Sequence, residues 1–362
     1  MKITDKIFVA GGTGMVGSAI IRKLISSGYK NLVSNYYKKK PITNYESRIT
    51  YVPLNLIRQA DVEAFFDRER PDYVFLAAAK VGGILANSTY KAEFIYDNIM
   101  IAANVIHSAY KNGVKKLLNL GSSCIYPKLA PQPMKEDYLL TGLLEPTNEP
   151  YAIAKISAIK LCRYYNEQYG SDFVSVMPTN LYGPDDNFNL ETAHVPPALI
   201  RKFHLAQLLH EKKYDAIKKD LQKYPIGFNL NLNLDLNLVL EKIGVTSDHV
   251  KLWGSGKPYR EFLYVDDLAD ACVFLMENYS HREIGEFMNI GTGSDITIKG
   301  LADLVAETVG FKGRIELDST KPDGMPRKLL DVSKIKALGW DAKISLKEGI
   351  RKTYEWYVSS CI

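Results

Sequence analysis

Short apolar runs alternate with amphipathic stretches through the first half of the chain. Lys6–Ala10 reads as a strand and Gly14–Ser27 as the helix that follows it. Asn31–Asn35 reads as a second strand, and Asp61–Asp67 falls within a helix. Tyr73–Ala78 is a strand that ends in small residues, and Ala92–Asn112 is a long helix. Lys116–Leu120 is another strand, Tyr151–Tyr169 a second long helix, and Phe173–Met177 a strand. This alternation predicts a parallel sheet covered on both faces. Right-handed crossovers then give an α/β, Rossmann-like, doubly wound sheet with ligands at the C-terminal ends of its strands.

The second half is less regular. Pro196–His210 has a helical period, as do Thr297–Val309 and Ser345–Ser359. Tyr264–Tyr279 starts as a strand and becomes a helix, which predicts a return to the first sheet. Between Glu211 and Asp248 a Lys-rich helical piece precedes a run from Phe228 to Leu238 in which Leu alternates with Asn or Asp. A period of two predicts a strand, although Asn and Asp are poor strand formers. The expected division is a nucleotide-binding domain over 1–177, with a return segment near 264–290. A smaller α+β substrate domain follows over 178–362, with an insertion at about 205–250. The length of 362 residues suits two domains.

Composition narrows the functional classes. Hydrophobic content of 46% and charged content of 24% fit a globular protein with a large core. The net charge of +5 is mild, and no basic stripe carries interleaved aromatics, so nucleic acid is not an expected partner. Cys124, Cys162, Cys272 and Cys361 form no CxxC and no disulfide framework. That favours a reducing compartment, and a cytoplasmic location is expected. No apolar run is long enough to span a bilayer, and Met1–Lys6 carries no signal-peptide core. No metal-ligand pattern stands out.

Gly11-Gly12-Thr13-Gly14-Met15-Val16-Gly17 follows an apolar strand and opens a helix. Glycines at this spacing let the backbone approach a pyrophosphate, which then rests on the helix N-terminus. An NAD site usually places an acid after the second strand to hold the ribose hydroxyls. Here the region reads Ser34-Asn35-Tyr36-Tyr37-Lys38-Lys39-Lys40. With no acid and three lysines, a 2′-phosphate is favoured, so NADPH is expected over NADH. The plainer reading of those lysines is a solvated loop.

Proton-handling residues follow. Tyr151 and Lys155 are one helical turn apart on one face. The lysine charge is expected to lower the phenol's pKa, so that Tyr151 can exchange a proton with a carbonyl oxygen. Ser122, at a strand end, can hydrogen-bond the same oxygen. This is the set used by short-chain dehydrogenases/reductases. Cys124 is not part of it. A thiol two residues past Ser122 suggests a second chemistry, proton transfer at a carbon acid.

Longer stretches carry a resemblance. GSSCIYPKLAPQPMKEDYLLTGLLEPTNEPYAIAKISAIKLC, SVMPTNLYGPDDNFN, HVPPALI, WGSGKPYREFLYVDD and KPDGMPRKLLDV resemble the GDP-L-fucose synthase family. That family belongs to the extended short-chain dehydrogenases and consists of GDP-4-keto-6-deoxymannose 3,5-epimerase/4-reductases. The likeness covers nearly the whole chain apart from about 205–250. It implies NADPH/NADP+ as cofactor and a GDP-linked 4-keto-6-deoxy sugar as substrate. Cys124 resembles the family base and His194 the family acid, beside Ser122, Tyr151 and Lys155.

The implied cofactor contacts are Gly11, Gly14, Met15, Val16, Gly17, Lys38, Ala78, Tyr151, Lys155, Pro178 and Leu181. On the substrate side the resemblance implies Asn180, Val195 and Leu199 by the guanine, Trp253 on the nucleotide side, and Lys202, Arg260 and Lys328 near the diphosphate. Three departures stand out. Thr13 occupies a position that is basic in some members. Lys202 replaces an Arg and loses a bidentate fork. The 205–250 segment is longer than usual, and its place on the sugar-nucleotide side implies a role in substrate access.

A homodimer is also expected, because Ala92–Asn112 and Tyr151–Tyr169 carry apolar residues around much of their circumference, and related folds pair these two helices across a two-fold axis. The nearest alternative function is a C4 reductase without epimerisation, acting on a GDP-4-keto-6-deoxy-heptose in capsule sugar biosynthesis. The acid missing after the second strand disfavours a UDP-hexose 4-epimerase. Residues Ser122-Ser123-Cys124 disfavour a 4,6-dehydratase. A non-enzymatic NADPH sensor would not be expected to retain both Tyr151 and Lys155.

Overall fold

The apolar runs of the first half are strands of one sheet. In the computed structural model, which describes residues 1–37, 48–228, 230, 235–321 and 323–361, β1 is Ile7–Ala10, β2 Leu32–Tyr36 and β3 Ile49–Pro53. β4 is Tyr73–Leu76, β5 Lys116–Leu120 and β6 Phe173–Pro178. With Met288–Ile290 as a seventh strand, the order is β3-β2-β1-β4-β5-β6 and then Met288–Ile290. Every pairing is parallel. The chain reverses direction across the sheet between β1 and β4, and ligands of doubly wound folds bind at that crevice.

The strands read as continuous apolar runs because both faces are covered. Alternate residues divide between two cores. Ile7 and Val9 pack on one side with α1 (Met15–Ser26) and the helix Val265–Asn278. Phe8 and Ala10 pack on the other with α2 (Gln59–Glu69), α4 (Lys91–Lys111) and α5 (Glu149–Tyr169). The short helix α3 (Ile84–Thr89) precedes α4. The expected return is present: Val265–Asn278 lies against α1, and Met288–Ile290 pairs with β6. The edge strand β3 was not anticipated, since Ile49-Thr50-Tyr51-Val52-Pro53 has only one fully buried residue and no apolar run.

A third core lies outside the sheet. It joins α6 (Val195–His210) to the helices Tyr214–Lys223, Ile298–Val309 and Leu346–Cys361. The expected strand over 228–238 is corrected here. Leu236–Lys242 is a helix, and Asp235 caps it by accepting from the backbone N–H groups of Asn237 and Leu238. A capping side chain satisfies the free donors of the first turn, and that outweighs a two-residue alternation. Residues 229 and 231–234 lie outside the described residues.

The inserted segment is anchored by charge. Arg201 on α6 and Asp220 on Tyr214–Lys223 are both fully buried. Arg201 donates to Asp220 through Nε at 3.0 Å and Nη2 at 2.8 Å, and to the carbonyls of Phe188 and Pro225. Tyr357 of the last helix donates to the other Asp220 oxygen. Removing one member of such a pair strands the other charge in a dry interior. Asp220→Ala should therefore destabilise the protein by about 3–5 kcal/mol. Arg351→Ala, which breaks an exposed pair with Glu355, should cost under about 1 kcal/mol. Urea unfolding of both variants checks the contrast.

Candidate active site

The glycine loop is braced from β2. Gly11 N–H donates to Asn35 Oδ1 at 2.8 Å, and Gly12 N–H to Ser34 Oγ at 3.1 Å. Ser34 in turn donates to Val9 O, and Asn35 Nδ2 to Leu54 O. Gly11 has φ +87, and a Cβ there would lie 2.7 Å from Ala78 Cα. A Cβ on Gly17 would collide with the Gly11 carbonyl. Side chains are thus excluded where β1 meets β4, which leaves the bare backbone cradle that a dinucleotide needs. Met15 and Val16 open α1, Pro178 ends β6, and Leu181 follows in the short strand Asn180–Tyr182. Lys38, the expected 2′-phosphate partner, lies outside the described residues, as do Lys39 and Lys40. A cavity of about 410 Å³ opens beside the ends of β2 and β3, between Tyr37, Asn55 and Arg68.

Lys155 ties α5 to the sheet. Its side chain is buried, and Nζ donates to Leu120 O, the last residue of β5, at 2.7 Å. That bond brings Tyr151, one turn earlier, over the β5 terminus. Ser122 lies near the Tyr151 phenol, whose pKa it helps to lower, and accepts from Cys124 N at 3.3 Å. Lys155 Nζ lies 5.7 Å from the Tyr151 ring centroid. The expected depression of the Tyr151 pKa is corrected. Burial pushes the phenol up, the Cys124 charge adds to this, and Ser122 only partly opposes it. Lys155 is itself pulled down to about 8 by burial. Tyr151 therefore stands as a protonated phenol, the form that can give a proton.

Cys124 is partly exposed in a short 3-10 turn, Ser123–Ile125. Its Sγ lies 3.7 Å from Lys328 Nζ. His194 occupies the N-cap position of α6 and is exposed. Burial and then the Lys328 charge lower its pKa. One lysine thus acts on both the thiol and the imidazole. The His194 loop is tied to the segment between β4 and α3, for Gly83 N–H donates to Thr192 O at 3.1 Å.

The remaining expected substrate positions fall unevenly. Val195 is exposed at the start of α6, whereas Leu199 is buried in the third core and offers a ligand little surface. Lys202 Nζ donates to Lys251 O at 3.2 Å, and burial draws its pKa down to about 8. Trp253 is 59% exposed, with Lys321 Nζ 5.5 Å above its ring and Phe228 of the inserted segment at its edge. Asn180 Nδ2 donates to Glu261 O, and Arg260 pairs in register with Lys328. The residues not anticipated are the loop braces Ser34 and Asn35, the buried Glu261, and Phe228. Only the REFLYV stretch around Glu261 gave any hint, an acid between apolar residues. Among the described residues no cluster of His, Cys, Asp or Glu could hold a metal ion.

The chain is similar to known proteins over nearly its whole length. The profile of the NAD dependent epimerase/dehydratase family matches residues 7–221 and 235–291, breaking within the inserted segment. GDP-L-fucose synthase 1 of Arabidopsis thaliana is 52% identical over 355 residues, 98% of this chain and 94% of that protein. The crystal structure of a GDP-6-OMe-4-keto-L-xylo-heptose reductase from Campylobacter jejuni superposes with a TM-score of 0.88 at 39% identity, covering 99% of both chains. A GDP-mannoheptose C4 reductase from Campylobacter jejuni, solved with NADP bound, has a TM-score of 0.81 at 37% identity and 99% coverage of both.

Two lysines set an alkaline limit. Lys155 and Lys202 each lose their proton as pH rises through about 8. Because kcat/KM reports ionisations of the free protein, it should fall on the alkaline side of about pH 8. Lys202→Arg should leave the limb that belongs to Lys155. A pH–rate profile that stays flat to about pH 10, the range of an ordinary lysine, would contradict this.

Proposed function

The chain belongs to the NAD dependent epimerase/dehydratase family and groups there with the GDP-L-fucose synthases; we propose that it carries out the 3,5-epimerisation and 4-reduction of a GDP-4-keto-6-deoxy sugar. The observation that carries the reading is the placement of Cys124 beside the Ser122–Tyr151–Lys155 set, with its thiol 3.7 Å from Lys328 Nζ. A reductase needs only Ser122, Tyr151 and Lys155. A thiol added to them serves proton transfer at carbon.

A 4-ketone acidifies the protons on C3 and C5. Inversion needs a base on one face and an acid on the other. Cys124 takes the proton and His194 returns one, since thiol and imidazole exchange protons near neutrality. Ser122 and Tyr151 donate hydrogen bonds to the C4 oxygen and stabilise the charge that develops there. Tyr151 then gives its proton to that oxygen. NADPH is the cofactor and supplies the hydride to C4 when bound. Gly11, Gly14, Met15, Val16, Gly17, Ala78, Pro178 and Leu181 would hold it. Lys202, Arg260 and Lys328 face the sugar-nucleotide diphosphate, because guanidinium and ammonium groups bind phosphate oxygens well. Val195 and Trp253 flank the base.

The second reading is C4 reduction of a GDP-4-keto-6-deoxy-heptose without epimerisation. The similarity to the two Campylobacter jejuni reductases favours it. Incubation with each GDP-4-keto sugar and NADPH in D2O separates the two. On the first reading deuterium enters C3 and C5, Cys124→Ser abolishes that exchange, and Tyr151→Phe stops reduction while NADPH still binds. Reduction with no exchange in the wild-type protein would establish the second.

The cofactor end of the reading has its own test. With no acid at the end of β2 and Lys38 to Lys40 beyond it, kcat/KM should be higher with NADPH than with NADH. Replacing the three lysines by Ala should narrow the gap, and equal values in the wild-type protein would remove the argument.

We also propose a cytoplasmic homodimer. Four free cysteines suit a reducing compartment. On α4 and α5, Tyr96, Ile153, Tyr164 and Tyr169 are 39–59% exposed, and paired helices would cover them. Light scattering at micromolar concentration should give twice the chain mass of 40.7 kDa.

A further inference from the structure

Arg260 and Lys328 stand opposite each other on a two-residue parallel ladder, Tyr259–Arg260 against Arg327–Lys328. Ile296–Thr297 pairs antiparallel with the other side of Tyr259–Arg260, and three strands of two residues each give a small sheet that needs further ties to hold its edge strand Arg327–Lys328 in place. The residue after Arg260 is Glu261, whose side chain is fully buried. Among the described residues no Lys, Arg or His pairs with it. Its carboxylate is held by main chain instead. One oxygen accepts from Thr292 N at 2.7 Å and Gly293 N at 2.8 Å, and the other from Leu330 N at 3.0 Å. A Cβ on Gly291 would strike the carboxylate, so the turn is shaped around it.

The main chain of Glu261 adds three more ties. Its carbonyl accepts from Asn180 Nδ2 at 2.8 Å and Thr179 Oγ1 at 3.3 Å, at the end of β6. Its N–H donates to Lys328 O at 3.4 Å. Burial pushes the carboxyl pKa up, and the N–H donors pull it back. Three segments therefore converge on one residue: the end of β6, the turn after Met288–Ile290, and the stretch from Arg327 to Leu330. Lys328 extends from this junction to Cys124 Sγ.

We propose that Glu261 is the positioning residue of the substrate cleft: it fixes Arg260 and Lys328 at the spacing that receives the diphosphate of a sugar nucleotide, and keeps Lys328 against Cys124. This rests on the reading of the substrate as a GDP-sugar. The site is built for a carboxylate, because N–H donors approach both oxygens. A carboxamide offers one acceptor and turns an NH2 donor toward the other side. A shorter aspartate keeps both acceptors but does not reach both sides at once.

Glu261→Gln and Glu261→Asp are compared with the wild-type protein by calorimetric titration with GDP and, separately, with NADPH. The Kd for GDP should rise about tenfold or more in Glu261→Gln, a step of about 1.4 kcal/mol, and less in Glu261→Asp. NADPH affinity should fall far less than GDP affinity, since the glycine loop shares no contact with Glu261 and the ties to Thr179 and Asn180, beside Pro178 and Leu181, come from the Glu261 carbonyl, which both variants keep. With GDP-sugar, KM should rise and solvent exchange through Cys124 should fall together. Unchanged GDP affinity in both variants overturns the proposal. So does an equal loss of GDP and NADPH binding, which would mark a role in folding alone. If Glu261→Gln does not fold, Glu261→Asp is held to the same comparison. Wild-type protein that binds NADPH but no GDP refutes the substrate reading itself, and the proposal falls with it.

Discussion

The hydrogen bond from Lys155 Nζ to the Leu120 carbonyl is the contact on which the catalytic arrangement depends. It is 2.7 Å long and buried. It fixes α5 at one height and rotation against the end of β5. Ser122 and Cys124 leave that strand end within four residues, and Tyr151 sits one turn up the helix. All three are therefore aligned by a single bond between a side chain and a backbone carbonyl. The bond has a physical cost, because an ammonium group is taken out of water. That cost shows in the fall of the lysine pKa to about 8.

The same burial divides the proton chemistry. Burial raises the Tyr151 pKa, while burial and the Lys328 charge lower that of His194. Groups held in different protonation states at one pH can give and take protons at different atoms of one substrate. A cleft of this kind needs walls from both parts of the chain. The segment after β5 contributes Ser122 and Cys124, and α5 contributes Tyr151 and Lys155. The C-terminal core contributes His194, Lys202, Trp253, Arg260 and Lys328. Glu261 joins the two, through the end of β6 on one side and the Lys328 strand on the other.

What the sequence displays follows from the range of the forces involved. β1, β4, β5 and β6 are legible because burial on both faces writes a continuous apolar run. Tyr151 and Lys155 are legible because their relation is a local one, four residues on a helix. The glycine loop is legible because backbone approach demands glycine at fixed spacing. The bracing of that loop by Ser34 and Asn35 is not, since their partners come from β1 and the segment after β3. Arg201 reads as one more surface cation until Asp220 is brought to it by a helix that the family profile only partly covers. The Leu–Asn alternation misleads for a related reason. Period alone reports which faces are apolar, and a single capping Asp235 decides that Leu236 begins a helix.

The inserted segment shows how such a chain can vary without losing its chemistry. It is bolted to α6 and the last helix through Arg201, Asp220 and Tyr357, all in the third core. None of these touches Lys155 or the glycine loop. The segment then returns Phe228 to the edge of the exposed Trp253, on the nucleotide side of the cleft. Glu191, three residues before His194, accepts from the Phe228 backbone N–H at 2.9 Å. The segment thus touches Trp253 and the loop before His194 through Phe228, while Arg201, Asp220 and Tyr357 lie apart from α5 and the end of β5. Relatives named for a hexose and for heptoses share this fold over nearly their whole length. A division of labour of this kind, with proton chemistry on the sheet and sugar selection on the C-terminal core, lets one arrangement of Ser, Tyr and Lys serve both.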